Sequence, residues 1–212
     1  MASWATVLGP GDKKHYFQDS DVEWATKAVY HETAHEDEYR LEWEAILWVM
    51  VNRWVSGRYG RDGQSWGEYI RSFSQPVNPY WATRCTGDER NRGVCEEAMA
   101  RRTMIQNRSF SWYQENASKF VSLVTSFMRG EISNKFPGWA NFDDGTNQYG
   151  LEKVTFPSIV SANEFYYQEW SKDWTVNTVR IVGTGGGRSP LGVLLALGFI
   201  GFVIASNIDW RK

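Results

Sequence analysis

The chain has 212 residues and a formal net charge of −2. That length holds one ordinary domain with a sizeable core and leaves room for an appendage. The charge balance excludes a general nucleic-acid binder, which needs a basic surface. Aromatic residues are abundant, with 12 Trp, 10 Tyr and 11 Phe. Most of these belong in a core. The rest suit the walls of a carbohydrate groove, because the C–H face of a sugar ring is apolar and its rim polar.

In chain order, residues 1–19 read as irregular, broken by Gly9, Pro10 and Gly11, and they lack the basic start and apolar run of a secretory signal. A first helix is predicted from Ser20, where Ser20-Asp21-Val22-Glu23 fits a capping box. Val22, Ala25, Ala28 and Val29 recur at helical spacing and define its apolar face. Glu32 falls on that same face. Burial disfavours a carboxylate, so the pKa of Glu32 is expected to rise, as a proton donor working near neutral pH requires. Glu36, Asp37 and Glu38 follow as a solvated acidic turn.

A second helix is predicted over Leu41–Val55. Its run from Ala45 to Val51 is apolar on all sides and marks it as the central buried helix. Asn52 and Arg53 end that run and are read as ligands of backbone carbonyls or as supports for Glu32. A Gly-rich loop over 57–67 leads to a short helix at Trp66–Ser72. The stretch from Phe73 to Trp81 follows, fixed in an extended turn by Pro76 and Pro79. Its amides and hydroxyls beside Tyr80 and Trp81 suit the hydroxyl and N-acetyl groups of an amino sugar. Cys85 and Cys95 either close a short disulfide loop, which would imply an oxidising compartment, or are two unrelated thiols.

Helices are predicted at Cys95–Asn107, carrying Arg101 and Arg102 either toward an anionic substrate or toward water, and at Ala117–Met128, ended by Arg129-Gly130. Residues 134–150 read as an irregular aromatic segment suited to a cleft wall, with Phe136, Trp139, Phe142 and Tyr149. Val154–Ile159 reads as a short strand, Asn163–Trp170 is ambiguous, and Thr175–Val182 reads as an edge strand. The domain organisation is a mainly α domain over 1–182, a Gly-rich linker over 183–189 and a transmembrane helix over 190–208. Trp210, Arg211 and Lys212 then mark the cytoplasmic interface, which places the domain outside the membrane.

Two enzymatic readings meet at Glu32. The stretch His31-Glu32-Thr33-Ala34-His35 matches HExxH, in which two imidazoles one helical turn apart share a zinc ion and the glutamate activates its water. That motif needs the helix to continue apolar after the second histidine, and here Glu36 and Asp37 follow. The longer match is Val29-Tyr30-His31-Glu32, then Glu36, then Ala45-Ile46-Leu47-Trp48-Val49-Met50-Val51-Asn52-Arg53, with Phe73-Ser74-Gln75-Pro76-Val77 after it. These segments resemble the SleB-like cell-wall hydrolases of the lysozyme-like superfamily over residues 22–81. The chain departs from that pattern in Thr33-Ala34-His35, where the family has Ala-Arg-Gly, and in a longer linker to the second helix.

The resemblance implies an α+β lysozyme-like fold and a lytic transglycosylase or muramidase acting on peptidoglycan strands. Glu32 would be the single catalytic acid, no metal or cofactor is implied, and no second carboxylate stands out in the sequence. Gln75, Ser74, Asn78 and Tyr113 are the candidate substrate-binding residues. Together with the membrane tail, the resemblance suggests a phage protein for wall penetration or lysis, either membrane-associated or carried in the virion beside other virion proteins. A non-enzymatic virion protein on a degenerate fold is the third reading.

Overall fold

In the computed structural model, which describes residues 4–58, 61, 63–85, 92–143, 150–154, 160–171 and 179–182, the helix Arg40–Val55 is the core element. Every residue from Glu42 to Val55 is buried. In chain order the elements are β1 (Thr6–Leu8), β2 (Lys14–Tyr16), α1 (Asp21–Glu32), α2 (Arg40–Val55), α3 (Trp66–Phe73), α4 (Arg92–Asn107), α5 (Phe110–Asn116), α6 (Ser118–Met128), β3 (Trp139–Asp143), β4 (Glu152–Lys153), β5 (Glu164–Tyr167) and β6 (Arg180–Val182). The chain is mainly helical with little strand, as the sequence pattern predicts.

Two small antiparallel sheets flank the helices, in the orders β2-β1-β6 and β3-β5-β4. Helix α1 packs on α3 and α6, and α2 packs on β3. The end of α2 fixes that last contact. Asn52 Nδ2 donates to the carbonyls of Phe136 and Trp139, at 3.3 and 2.8 Å. Arg53 donates to the carbonyl of Ala140 at 3.0 Å and stacks its guanidinium over Phe73, 4.1 Å from the ring centre. The expected carbonyl-binding role of this pair is therefore found, but the carbonyls belong to β3 and the turn just before it, more than eighty residues away.

The close approach of α1 and α3 needs a glycine. Gly67 N–H donates to the buried Asp21 carboxylate at 2.8 Å, and a Cβ at position 67 would stand 2.9 Å from that oxygen. Asp21 also accepts from Gln18 N–H at 2.8 Å. The predicted capping box at Ser20 does not form, since Ser20 makes no side-chain cap and Asp21 takes the buried role instead. A capping box does form at the start of α3, where Ser65 accepts from Glu68 N–H at 3.2 Å and Glu68 accepts from Ser65 N–H at 2.9 Å.

Several local expectations change. Residues 6–16 are a hairpin rather than irregular chain, turned by Pro10–Asp12 with Gly11 at φ 68°. Three-residue strands are too short to show alternation. Phe110–Asn116 is an additional helix, capped by Ser109. Residues 139–143 are a strand, and Phe136 and Trp139 are buried in the core instead of walling a cleft. The ambiguous segment after Asn163 contains β5, and the predicted edge strand is found as β6 over Arg180–Val182. The strand predicted from Val154 falls mostly on residues 155–159, outside the described residues, as do Tyr149, the linker 183–189 and the apolar run 190–208. Among the described residues no helix is long and apolar enough to cross a membrane.

Gly138 has φ 74°, and a Cβ there would stand 2.6 Å from the carbonyl oxygen of Ser171. Both a left-handed backbone and a backbone clash oppose any side chain. Gly138→Ala is therefore expected to lower the unfolding free energy by about 2 kcal/mol or more. Urea denaturation followed by Trp fluorescence measures it.

Candidate active site at the end of helix α1

Glu32 is the last residue of α1, and Thr33 leaves the helix in an extended conformation, φ −139° and ψ 165°. The break is held by side chains from other elements. Trp43 Nε1 donates to the carbonyl of Ala34 at 2.8 Å, and Lys119 bonds the carbonyl of His35 and pairs with Asp37. The buried Glu42 carboxylate accepts from the Thr33 hydroxyl on one oxygen. Its other oxygen lies 2.9 Å from each of Ser161 Oγ, Ala162 N, Asn163 N and Asn163 Nδ2. Asn163 Nδ2 also donates to the backbone carbonyl of Glu32 at 2.8 Å. One buried carboxylate thus holds the helix end that carries Glu32 against the 161–163 loop.

The Glu32 side chain has a different environment. Among the described residues its one side-chain hydrogen bond comes from Ser74, whose hydroxyl donates to Oε1 at 2.7 Å. Ser74 is buried and caps the end of α3, so its position is set by backbone, with Ser74 N–H donating to Ile70 O at 2.8 Å. Glu32 is half-buried as a residue, because one side opens on to a cavity. Desolvation nevertheless dominates its carboxyl and raises the pKa from 4.5 to about 7, against a small opposing effect of the Ser74 hydroxyl. Its place in the last turn of a helix, where the dipole disfavours an anion, acts in the same direction.

The cavity has a volume of about 380 Å³. One wall is His31, Glu32, Gln75 and Pro76; the other is the α4 face, with Val94, Glu97, Arg101 and Ile105. Helix α4 is fastened opposite Glu32 at several points. Cys85 and Cys95 form a disulfide, with Cα atoms 5.3 Å apart. Arg102 donates to Trp81 O at 3.3 Å, Gln106 to Asn78 O at 3.1 Å, and Lys27 of α1 to Gln106 O at 3.2 Å. A larger hollow of about 490 Å³ is lined by Arg61, Gln64, Glu68 and Arg71. Its one carboxylate, Glu68, is committed to the α3 capping box, whereas the smaller cavity is lined by Glu32 and Glu97.

The two imidazoles of the HExxH stretch diverge. His31 Nε2 lies 2.9 Å from Tyr113 Oη, while His35 Nε2 donates to Tyr30 O at 2.7 Å and its ring lies against that of Tyr30. The helix that must carry both ligands on one face ends between them. Burial, followed by the charges of Arg101 and Arg108, lowers the pKa of His31 to about 3. Among the described residues no group of three or more His, Cys, Asp or Glu is placed to hold a metal ion.

The other predicted site residues separate in the structure. Ser74 and Gln75 stand beside Glu32. Asn78 does not reach this cavity, because its side chain closes the 72–80 turn by donating to Ser72 O at 3.0 Å and accepting from Tyr80 N–H at 2.9 Å. Tyr113 is fully buried, with its hydroxyl 2.9 Å from His31 Nε2, and it is not among the residues that line the cavity. Glu36 is exposed. Sequence reasoning missed Glu42 and Glu97. Each lies in a helix among other charged residues, and only long-range folding separates them from ordinary surface acids.

The folded-state pKa of Glu32 lies above its value of 4.5 in an unfolded chain. It therefore contributes stability that is full below pH 4.5 and is lost as pH rises through about 7. Relative to the wild type, Glu32→Gln is expected to gain roughly 3 kcal/mol between pH 5 and 8. Urea unfolding at stepped pH tests this, and parallel curves for the two proteins would rule the shift out. Comparison of the chain with protein-family models, curated proteins and solved structures finds no match.

Proposed function

We propose that the chain is a peptidoglycan-cleaving glycosidase, a lytic transglycosylase or muramidase on a lysozyme-like fold, with Glu32 as its general acid. The observation that carries this reading is a desolvated carboxyl with a pKa of about 7, held by one serine hydroxyl and facing an open cavity. A carboxyl in that state is still protonated in a large fraction of molecules near neutral pH and can deliver its proton to a glycosidic oxygen as the sugar–oxygen bond breaks. Gln75 supplies an amide at the cavity wall and Ser74 aims the acid. The resemblance of residues 22–81 to the SleB-like hydrolases supports the β-1,4 bond between N-acetylmuramic acid and N-acetylglucosamine as the target.

Both product outcomes begin with the same proton transfer. In a transglycosylase the resulting Glu32 carboxylate takes a proton from the sugar's own C6 hydroxyl, which closes a 1,6-anhydro ring. In a muramidase water attacks instead. The disulfide suits an oxidising compartment outside the cytoplasm, where peptidoglycan lies. The apolar run 190–208 would anchor the domain to the membrane from that side, in keeping with a phage protein for wall entry or lysis. The zinc-peptidase reading finds no support in the placement of His31 and His35.

Digestion of purified peptidoglycan with product analysis by mass spectrometry is expected to give glycan fragments from the wild type and none from Glu32→Gln. Wild-type kcat/KM is expected to fall above about pH 7, as Glu32 loses its proton. Free peptides without glycan cleavage, or undiminished activity of Glu32→Gln, would overturn the assignment.

A further inference from the structure

Five side chains that line the Glu32 cavity are ionisable or charged: His31, Glu32, Glu97, Arg101 and Arg102. A hydrolytic route needs one of them to take a proton from water. The arginines cannot, because a guanidinium holds its proton at any working pH. His31 is a poor acceptor, since its Nε2 is engaged with Tyr113 and burial beside Arg101 and Arg108 holds its pKa near 3. Glu97 remains. It is an exposed carboxylate on α4, on the wall facing Glu32. Arg101 follows it at i+4, yet Glu97 has no ion-pair partner among the described residues. Its helix is fixed by the disulfide at Cys95, two residues earlier, and by the Arg102 and Gln106 bonds to the 78–82 segment.

Resting on the glycosidase reading above, we propose that Glu97 is the general base of this site and that the reaction is a hydrolysis with inversion at the anomeric carbon. Glu32 and Glu97 line one cavity of about 380 Å³, which has room for water, and an acid and a base sharing such a site with a water between them is the arrangement that inverting glycosidases use. The proton of Glu32 passes to the glycosidic oxygen. The C1–O bond breaks and its electron pair leaves with that oxygen, which becomes the hydroxyl of the departing sugar. A water oxygen bonds C1 from the opposite face, and its proton goes to the Glu97 carboxylate. One water is consumed and nothing is oxidised or reduced. Glu32 is left ionised and Glu97 protonated, and exchange with solvent resets both.

The test uses the full chain acting on peptidoglycan in 18O-labelled water. The wild type is expected to yield reducing-end muropeptides with 18O at C1, released first as the inverted anomer. Glu97→Ala is expected to lose on the order of a hundredfold or more in kcat. Added azide, which needs no base, should restore turnover and give a glycosyl azide of inverted configuration. Because Glu97 is exposed, its thermal melting should stay that of the wild type. Anhydro-muropeptides without 18O, undiminished activity of Glu97→Ala, or a loss that azide does not restore would each overturn the base assignment and leave glycan cleavage by Glu32 standing. Absence of any glycan fragment from the wild type would instead remove the glycosidase reading itself.

Discussion

The buried carboxylate of Glu42 fixes the geometry on which the candidate site depends. A charge taken out of water costs several kcal/mol unless donors surround it. Here five donor groups do so: the Thr33 hydroxyl, the Ser161 hydroxyl, two backbone N–H groups and the Asn163 amide. They come from the residue that ends α1 and from a loop more than a hundred residues later in the chain. The carboxylate is paired only when the two segments meet, so folding of the loop and termination of α1 stabilise each other. The same Asn163 amide holds the Glu32 carbonyl, which transmits that order to the acid.

Glu32 and Glu42 show how one residue type is given two tasks. Glu42 receives donors on both oxygens. Glu32 receives one hydroxyl and is otherwise desolvated, so its proton is retained to about pH 7. The difference lies in the number of donors supplied and in the cavity that only Glu32 faces. The first glutamate is a structural tie and the second is poised to titrate.

Much of this was legible in the sequence where the signal is local. The apolar run Ala45–Val51 announces a central helix, and the coincidence of Glu32 with the Val22, Ala25, Ala28 and Val29 face announces a desolvated acid. What escaped depends on contacts distant in sequence. The pairing of Thr6 with Val182 joins the two ends of the described chain, and three-residue strands carry no period to read. Asp21 looked like part of a capping box because its true partner, Gly67 N–H, lies 46 residues away. HExxH matched a metal motif in its letters alone, and Glu36 and Asp37 already spoke against it; the letters do not show where the helix stops, at Glu32, where Trp43, Lys119 and Glu42 draw the chain aside.

The central claim is that Glu32 titrates near neutral pH, well above an ordinary glutamate, because the fold removes its water. Selective 13C labelling of glutamate side chains, with the Glu32 signal assigned by its absence in Glu32→Gln, gives the titration directly by NMR. The account predicts a midpoint near 7 for this one carboxyl. A midpoint near the ordinary glutamate value of 4.5 would contradict it.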